Sequence, residues 1–307
     1  MPEWVSERGI GETRMALVAD DEILEARILI HGIAVAGLNL PARLVSGGRN
    51  AVARDEAGNE YLLPKGSGKA SEGQMLDILV TRSAIPGPEP WKRALARIAE
   101  ADEGLSDPVG CANGSLPASW NELIEEARSA TVRFAGGELR ISPTPAMTLI
   151  DVDGYLPAEE LAVRGAEESA KAIRRLDIGG SIGIDLPTTG SKAVRQRAAE
   201  AIDAILPKPF ERTSVNGFGF LQIVRPRRRA SLVELAQDRA GFEARALLRR
   251  VAFEPPGGKR IVAHPAVVKV IEEQGGWTDQ LARELGGAVE LRGDAALPMS
   301  GGYAEPP

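Results

Sequence analysis

Between Thr148 and Val224, short apolar strands alternate with amphipathic helices, and this stretch restricts the fold more than any other in the 307-residue chain. TLIDVDG (148–154) has the period-two pattern of a half-buried strand, with Ile150 and Val152 on one side and Asp151 and Asp153 on the other. Pro157 and two glutamates open a helix in which Leu161, Ala166, Ala170, Ile173 and Leu176 recur at near-helical spacing. Gly179-Gly180 ends that connection, and SIGID forms a second buried strand that finishes on Asp185. Ser191 to Leu206 reads as another helix through Val194, Ala198, Ile202 and Ile205, before the glycine-broken strand region SVNGFGFLQIV. The β-α-β-α-β order predicts neighbouring parallel strands, with ligands bound outside their carboxyl ends.

Placing two like charges side by side on such a strand is unfavourable unless a cation, a proton or hydrogen-bond donors compensate them. With the two strands adjacent, Asp151, Asp153 and Asp185 converge on one cation. Oxygen-only ligands suit Mg²⁺ or Mn²⁺, and few carboxylates are needed because Mg²⁺ keeps waters and accepts phosphate oxygens. The plainer reading is that Asp151 and Asp153 cap the next helix and Asp185 closes a turn before Thr188 and Ser191.

Elsewhere, Glu12 to Ile30 reads as a β-hairpin turning at Asp20-Asp21-Glu22. ARLVS, NAVARDEAGNEYLLP and GQMLDILVTR have the spacing of a small antiparallel barrel, of which an oligonucleotide-binding (OB) barrel is one form. Pro, Gly and Asp clusters around a short helix, Trp91 to Glu100, mark a linker. A helix from Trp120 to Ala127 and the strands TVRFA and ELRISPT lead into TLIDVDG. The tail holds a helix, the strand KRIVAHP, one more helix ending at Gly286-Gly287, and AVELRG. The expected α/β organisation is a hairpin (1–36), an OB-like barrel (37–85), a linker (86–119), the β-α-β-α-β domain (120–235) and a small α+β C-terminal domain (236–307).

No apolar run approaches the roughly 18 residues that span a bilayer, and the charged start MPEWVSERGIGETR lacks the apolar core of a signal peptide, so a cytoplasmic location is expected. Cys111 stands alone, which leaves no internal disulfide and no cysteine-based zinc site. The net charge of −6 conceals a basic segment: residues 161–230 carry thirteen Lys and Arg against seven Asp and Glu, so that part is +6 and the rest −12. Arg225, Arg227, Arg228 and Arg229 contribute most densely, and with the carboxylates they point to a polyanionic substrate. His31 and His264 sit in apolar surroundings, HGIAVAG and IVAHPAVV, and read as packing or capping residues.

Several separated segments, in order, resemble the catalytic half of the RNase E/G endoribonucleases. GETRMALVADDEILEARI resembles that family's opening hairpin, ELRISPTPAMTLIDVDG the strand pair leading to its first catalytic Asp, and AKAIRRLDIGGSIGID the helix, Gly-Gly turn and strand carrying the second. SVNGFGFLQIVRPRRRASLVEL is similar to the closing strand and basic turn. The resemblance implies a Mg²⁺-dependent phosphodiesterase (Mn²⁺ serving as well) acting on single-stranded RNA. In it Asp151 and Asp185 hold the metal and Asp153 replaces an Asn that orients it. The second acidic residue after the IxID strand is replaced within Leu186-Pro187-Thr188-Thr189.

Positive side chains at Arg225, Arg227, Arg228 and Arg229, followed by Lys192 and Arg195, are expected to hold flanking phosphates, a reading that stands beside the resemblance. In NEYLLPKG the resemblance gives Tyr61 a base to stack on and Lys65 a phosphate to meet. The chain resembles a trimmed member: little room remains between Arg97 and Trp120 for the domain that reads the RNA 5′ phosphate, and no CPxC follows Leu235 for an intersubunit zinc link. The tail resembles the family's small dimer-forming domain and leaves a homodimer open. Two alternatives stand beside this reading: an RNA-binding module without turnover, and a haloacid-dehalogenase-type phosphatase suggested by DVDG, where Tyr155 replaces that family's Thr and the later acidic pair is missing.

Overall fold

The computed structural model describes residues 1–86, 92–100 and 112–307. The chain opens with three antiparallel strands, β1 (Glu3–Arg8), β2 (Glu12–Ala19) and β3 (Glu22–Ile30). Asp20 and Asp21 both take positive φ, 50° and 62°, which makes the tight β2–β3 turn expected of that dipeptide.

A closed five-stranded barrel follows, built of β4 (Asn39–Ser46), β5 (Ala51–Arg54), β6 (Glu60–Leu63), β7 (Met75–Arg82) and β8 (Ala94–Ile98) in the order β4-β5-β6-β8-β7. Its interior holds Ala42, Leu44, Ala51, Ala53, Leu63, Ile78 and Ala96, and the alanines let five short strands close on a narrow core. The stretch Trp91 to Glu100, expected as a short helix in a linker, supplies β8 instead. Its Ala- and Leu-rich composition favours helix, but the free edges of β6 and β7 offer it two hydrogen-bonded neighbours, and tertiary pairing overrides propensity. Trp91 and Cys111 lie outside the described residues.

β9 (Ala112–Asn113) returns beside β1, and the chain then builds α1 (Trp120–Ser129), β10 (Thr131–Phe134), β11 (Gly137–Pro143), β12 (Thr148–Gly154), α2 (Ala158–Arg175), β13 (Gly180–Asp185), α3 (Lys192–Ile205), β14 (Glu211–Arg212) and β15 (Phe220–Arg225). The resulting six-stranded sheet has the order β10-β11-β12-β13-β15-β14. Only β12 and β13 run parallel; β15 is antiparallel to β13, against the expectation of parallel neighbours. The reason lies in the connection, because the chain leaving α3 first lays down β14 and then reverses. At that reversal the side-chain Oδ1 of Asn216 accepts from the backbone amides of Phe218 and Phe220 at 2.9 and 3.1 Å.

Ile150, Val152, Ile182, Ile184, Leu221 and Ile223 turn one face of this sheet towards the apolar sides of α2 and α3, forming the main core. The opposite face is open and carries Arg140, Leu149, Asp151, Asp153, Asp185 and Val224 exposed. A sheet with antiparallel neighbours tolerates water on one side, whereas an all-parallel sheet would need helices on both. Gly165 sets the distance between α2 and β12: a Cβ there would lie 2.3 Å from Cγ1 of Val152, the residue between the two aspartates.

The remainder forms α4 (Leu232–Leu235), α5 (Arg239–Ala252), β16 (Lys259–Ala263), α6 (Pro265–Glu273), α7 (Trp277–Leu285), β17 (Val289–Gly293) and β18 (Tyr303–Glu305), with a sheet ordered β17-β16-β18. The single helix expected before Gly286 is two, broken at Gly275-Gly276, where Gly276 has a φ of 92°. This part is fastened to the opening hairpin. Ile10 packs into its core, and the buried Glu12 carboxylate takes Arg14 on its own strand and accepts Nε of Arg245, 233 residues away, at 3.0 Å. Glu7 accepts from Arg249 next to it at 2.9 Å. Among the described residues no helix is long and apolar enough to cross a membrane.

Gly165→Ala tests the close approach of α2 to β12. The gain in helix propensity, about 1 kcal/mol, is outweighed by overpacking against a stiff β-branched side chain, so a net loss of about 1–2 kcal/mol is expected in urea unfolding. An unchanged or raised midpoint would show that the helix shifts freely over the strand.

Candidate functional site

Asp151 and Asp185 face each other across the one parallel pair of the sheet, in register. Neighbouring strands lie about 4.8 Å apart, so two side chains in register project side by side from the same face. Asp153, two residues along β12, shares that face and stands opposite Glu138 of β11. The open face thus gathers three aspartates near the carboxyl ends of β12 and β13, with Glu138 beside them on β11.

None of the three is spent on a turn or cap. The N-cap of α2 is Pro157, with no side-chain capping bond, and α3 is capped by Ser191, whose oxygen accepts from the Val194 amide. The turn after β13 is held by Thr188, whose hydroxyl donates to the Phe218 carbonyl at 3.0 Å. Burial and then the charges of Asp153 and Asp185 raise the Asp151 carboxyl above its ordinary value, against the opposing pull of Arg140 and the Val152 amide. Asp151 is therefore a carboxylate crowded by carboxylates, and a cation or a proton relieves it.

Sequence reasoning passed over Arg140. It lies on β11 directly across from Asp151, donates to Glu138 at 2.8 Å and stands 3.8 Å from Asp153. The alternation in ELRIS could have placed it on the carboxylate face once the antiparallel register of β11 with β12 was known. Phe220, in register with Asp185, was also missed; its ring and Leu149 lie over Gly183, where a Cβ would sit 2.6 Å from the Phe220 ring. Two more aromatics stand out at this end of the sheet, Tyr155 at 85% exposed and Phe218 at 82%.

The other expected site residues are not brought to the carboxylates. Tyr61 is 1% exposed in the barrel core and its hydroxyl donates to Asp55 at 2.8 Å, so it presents no ring for a base to stack on. In NEYLLPKG the aromatic falls on an inward position of β6, and single-strand alternation could not tell inside from outside in a barrel. Lys65 is exposed in the loop after that strand. The arginine run follows β15, whose last residue, Arg225, pairs with Gly180 at the start of β13, whereas Asp185 ends that strand. Five residues of strand, about 17 Å, separate the run from the carboxylates. Within it Arg227 pairs with Glu234, Arg229 donates to Asp177 at 2.6 Å and Arg225 caps the Ile178 carbonyl at 3.2 Å, leaving Arg228 exposed.

Among the described residues no group of three or more His, Cys, Asp and Glu side chains is drawn together closely enough to hold a metal ion by itself. The donor set still fits Mg²⁺ or Mn²⁺, which take two protein carboxylates and complete their shells with water and phosphate oxygens. Comparison with protein-family models and with curated proteins finds no match for this chain.

The crowding of Asp151 has a measurable cost. A carboxyl whose folded pKa is raised binds its proton more tightly folded than unfolded, so its ionisation destabilises the fold. That cost is complete at neutral pH and disappears below the ordinary Asp value of 3.8. Asp151→Asn is accordingly expected to raise the unfolding midpoint at pH 7 by on the order of 1–2 °C, with the difference closing as pH falls to 3.5. Saturating Mg²⁺ at pH 7 should stabilise wild type and leave the variant unmoved; a variant less stable than wild type at pH 7 would mean that Asp151 makes a structural contact.

Proposed function

We propose that this chain is an α/β endoribonuclease of RNase E/G type that hydrolyses phosphodiester bonds of single-stranded RNA with a carboxylate-bound Mg²⁺. The observation that carries the reading is the in-register pair Asp151 and Asp185, uncapped on an open sheet face. Asp151 and Asp185 would hold the ion and Asp153 would orient its waters. The bound ion supplies a polarised phosphoryl oxygen and a water of lowered pKa, so no histidine base is needed. Arg140 reaches the same face and binds a non-bridging phosphate oxygen, offsetting charge that grows at the phosphorus. Phe220 and Leu149 offer an apolar floor for a base next to the scissile bond.

The barrel supports the same reading. Its order, with β6 parallel to β8 and β7 returning to β4, is that of an OB barrel, a fold whose faces bind oligonucleotides. It meets the basic turn directly, since the Ser83 amide donates to the Arg228 carbonyl at 2.8 Å. Lys65 remains a candidate phosphate contact on the barrel, and the C-terminal α+β part remains the candidate surface for a homodimer. The alternative of an RNA-binding protein without turnover draws on two departures, Asp153 in place of an Asn and the absence of a second acidic residue in Leu186-Pro187-Thr188-Thr189.

One assay separates these readings: labelled single-stranded RNA and a chromogenic phosphate monoester, each incubated with Mg²⁺ or with EDTA. Cleavage of RNA alone, dependent on Mg²⁺, is expected. Asp151→Asn and Asp185→Asn should each lower cleavage more than about 100-fold, beyond the loss typical of a mere outer-shell partner, while RNA affinity is retained. Monoester hydrolysis would favour the phosphatase, and RNA binding without cleavage the inactive module.

A further inference from the structure

At the edge of the sheet remote from the carboxylates, a pocket of about 220 Å³ is walled by Arg27, Lys208, Arg225, Arg227, Arg228 and Arg229. It opens where four parts of the chain meet: β3, the α2–β13 turn, the segment after α3 that carries Lys208, and the segment after β15. We infer that this pocket binds a single phosphate group, as a discrete anion site apart from the carboxylate face. The inference does not rest on the nuclease reading.

Charge is the first argument. Glu25 and Asp177 also line the pocket, and Glu234 pairs with Arg227 from behind, so six cations face three carboxylates. Glu25 is moreover shared with Arg174 and Glu234 with Lys92, which weakens their hold on the lining arginines. A structural role must be set against this. The C-terminal ends of α2 and α3 both arrive here, and Arg225 donates to the carbonyls of Ile173 and Ile178. Two helix ends contribute together about one negative charge. Some two positive charges are left uncompensated, which matches a phosphate dianion.

The second argument is rigidity. Arg27 is stacked 4.1 Å over the Trp4 ring, and Lys208 sits 3.9 Å over Phe210 while donating to that residue's carbonyl at 3.1 Å. Arg229 is fixed by Asp177 and Arg227 by Glu234, so the guanidinium groups are held close together with little freedom left to lose on binding. Burial, and then the nearby Arg229, pull Arg27 below the usual arginine range. The Nε–H groups of Arg27, Arg227 and Arg229 find no acceptor among the described residues. Arg228 is exposed and uncommitted among the described residues, positioned to complete the shell around an incoming anion.

Titration calorimetry with inorganic phosphate and pyrophosphate at constant ionic strength tests this in wild type, Arg228→Gln and the double variant Arg228→Gln/Lys208→Gln. Saturable one-to-one binding is expected, weakened at least about tenfold in the double variant, since each charge-assisted hydrogen bond lost is worth about that factor. Among the described residues neither substituted side chain forms a salt bridge with a carboxylate, and unchanged unfolding midpoints in phosphate-free buffer confirm that the variants fold. Absence of saturable binding, or equal affinity in wild type and double variant, overturns the proposal. Asp151→Asn should bind phosphate as wild type does, so the pocket can stand even where no cleavage is found. A single-stranded oligonucleotide that displaces phosphate identifies a chain phosphate as the occupant; simultaneous binding of both identifies a free phosphate compound.

Discussion

The parallel pairing of β12 with β13 is the constraint on which the open face depends. Because the two strands run the same way and in register, Ile150 and Ile184 fall on the helix side together while Asp151 and Asp185 fall on the solvent side together. A slip of one residue would bury an aspartate beneath α2. The core that fixes the register is therefore the same core that sets the carboxylates side by side. Gly165 then lets α2 press on Val152 closely enough to hold the strand in place. The repulsion between the aspartates is sustained by apolar burial on the opposite face of a single strand.

Much of this was legible in the sequence because period-two and near-3.6 patterns do not mix. The helices after Pro157 and Ser191 lie where their apolar spacing put them, as does the hairpin at Asp20-Asp21. What failed to show were choices made between segments. Nothing local to ALARI reveals that two barrel edges await it, so its propensity misled. Nothing local to FLQIV reveals that the chain has already reversed at Asn216, so its direction was misjudged. Tyr61 followed the same rule: the strand was recognised, but whether an alternate residue faces in or out depends on curvature supplied by its neighbours. Arg140 was invisible for want of a register. Local pattern identifies strands, and partnering across the chain decides what each strand presents.

The molecule treats its arginines in two ways. Around Glu12 the cations Arg14 and Arg245 are sealed in with an acceptor, an arrangement in which loss of the carboxylate would leave two buried charges and cost about 3–5 kcal/mol. At the end of β15 and beyond it the arginines are spaced along a turn, Arg225 tethered to a helix terminus and Arg227 and Arg229 to carboxylates, with Arg228 exposed between them. The first arrangement consumes its charge in holding the fold. The second keeps charge available at a surface where the barrel, the hairpin and the sheet all arrive.

The ion pair between Glu12 and Arg245 also has a consequence in time. Its partners are 233 residues apart, so a ribosome adding about 5–20 residues per second places the second roughly 10–50 s after the first. The hairpin emerges well before the part it is fastened to. Throughout that interval Ile10 lacks the core it packs into, whereas the outer edge of β1 waits only for β9, where Ala112 comes to lie beside Val5. The nascent chain thus covers the strand edge of β1 well before it can bury Ile10, and of the two exposures the apolar one is the longer.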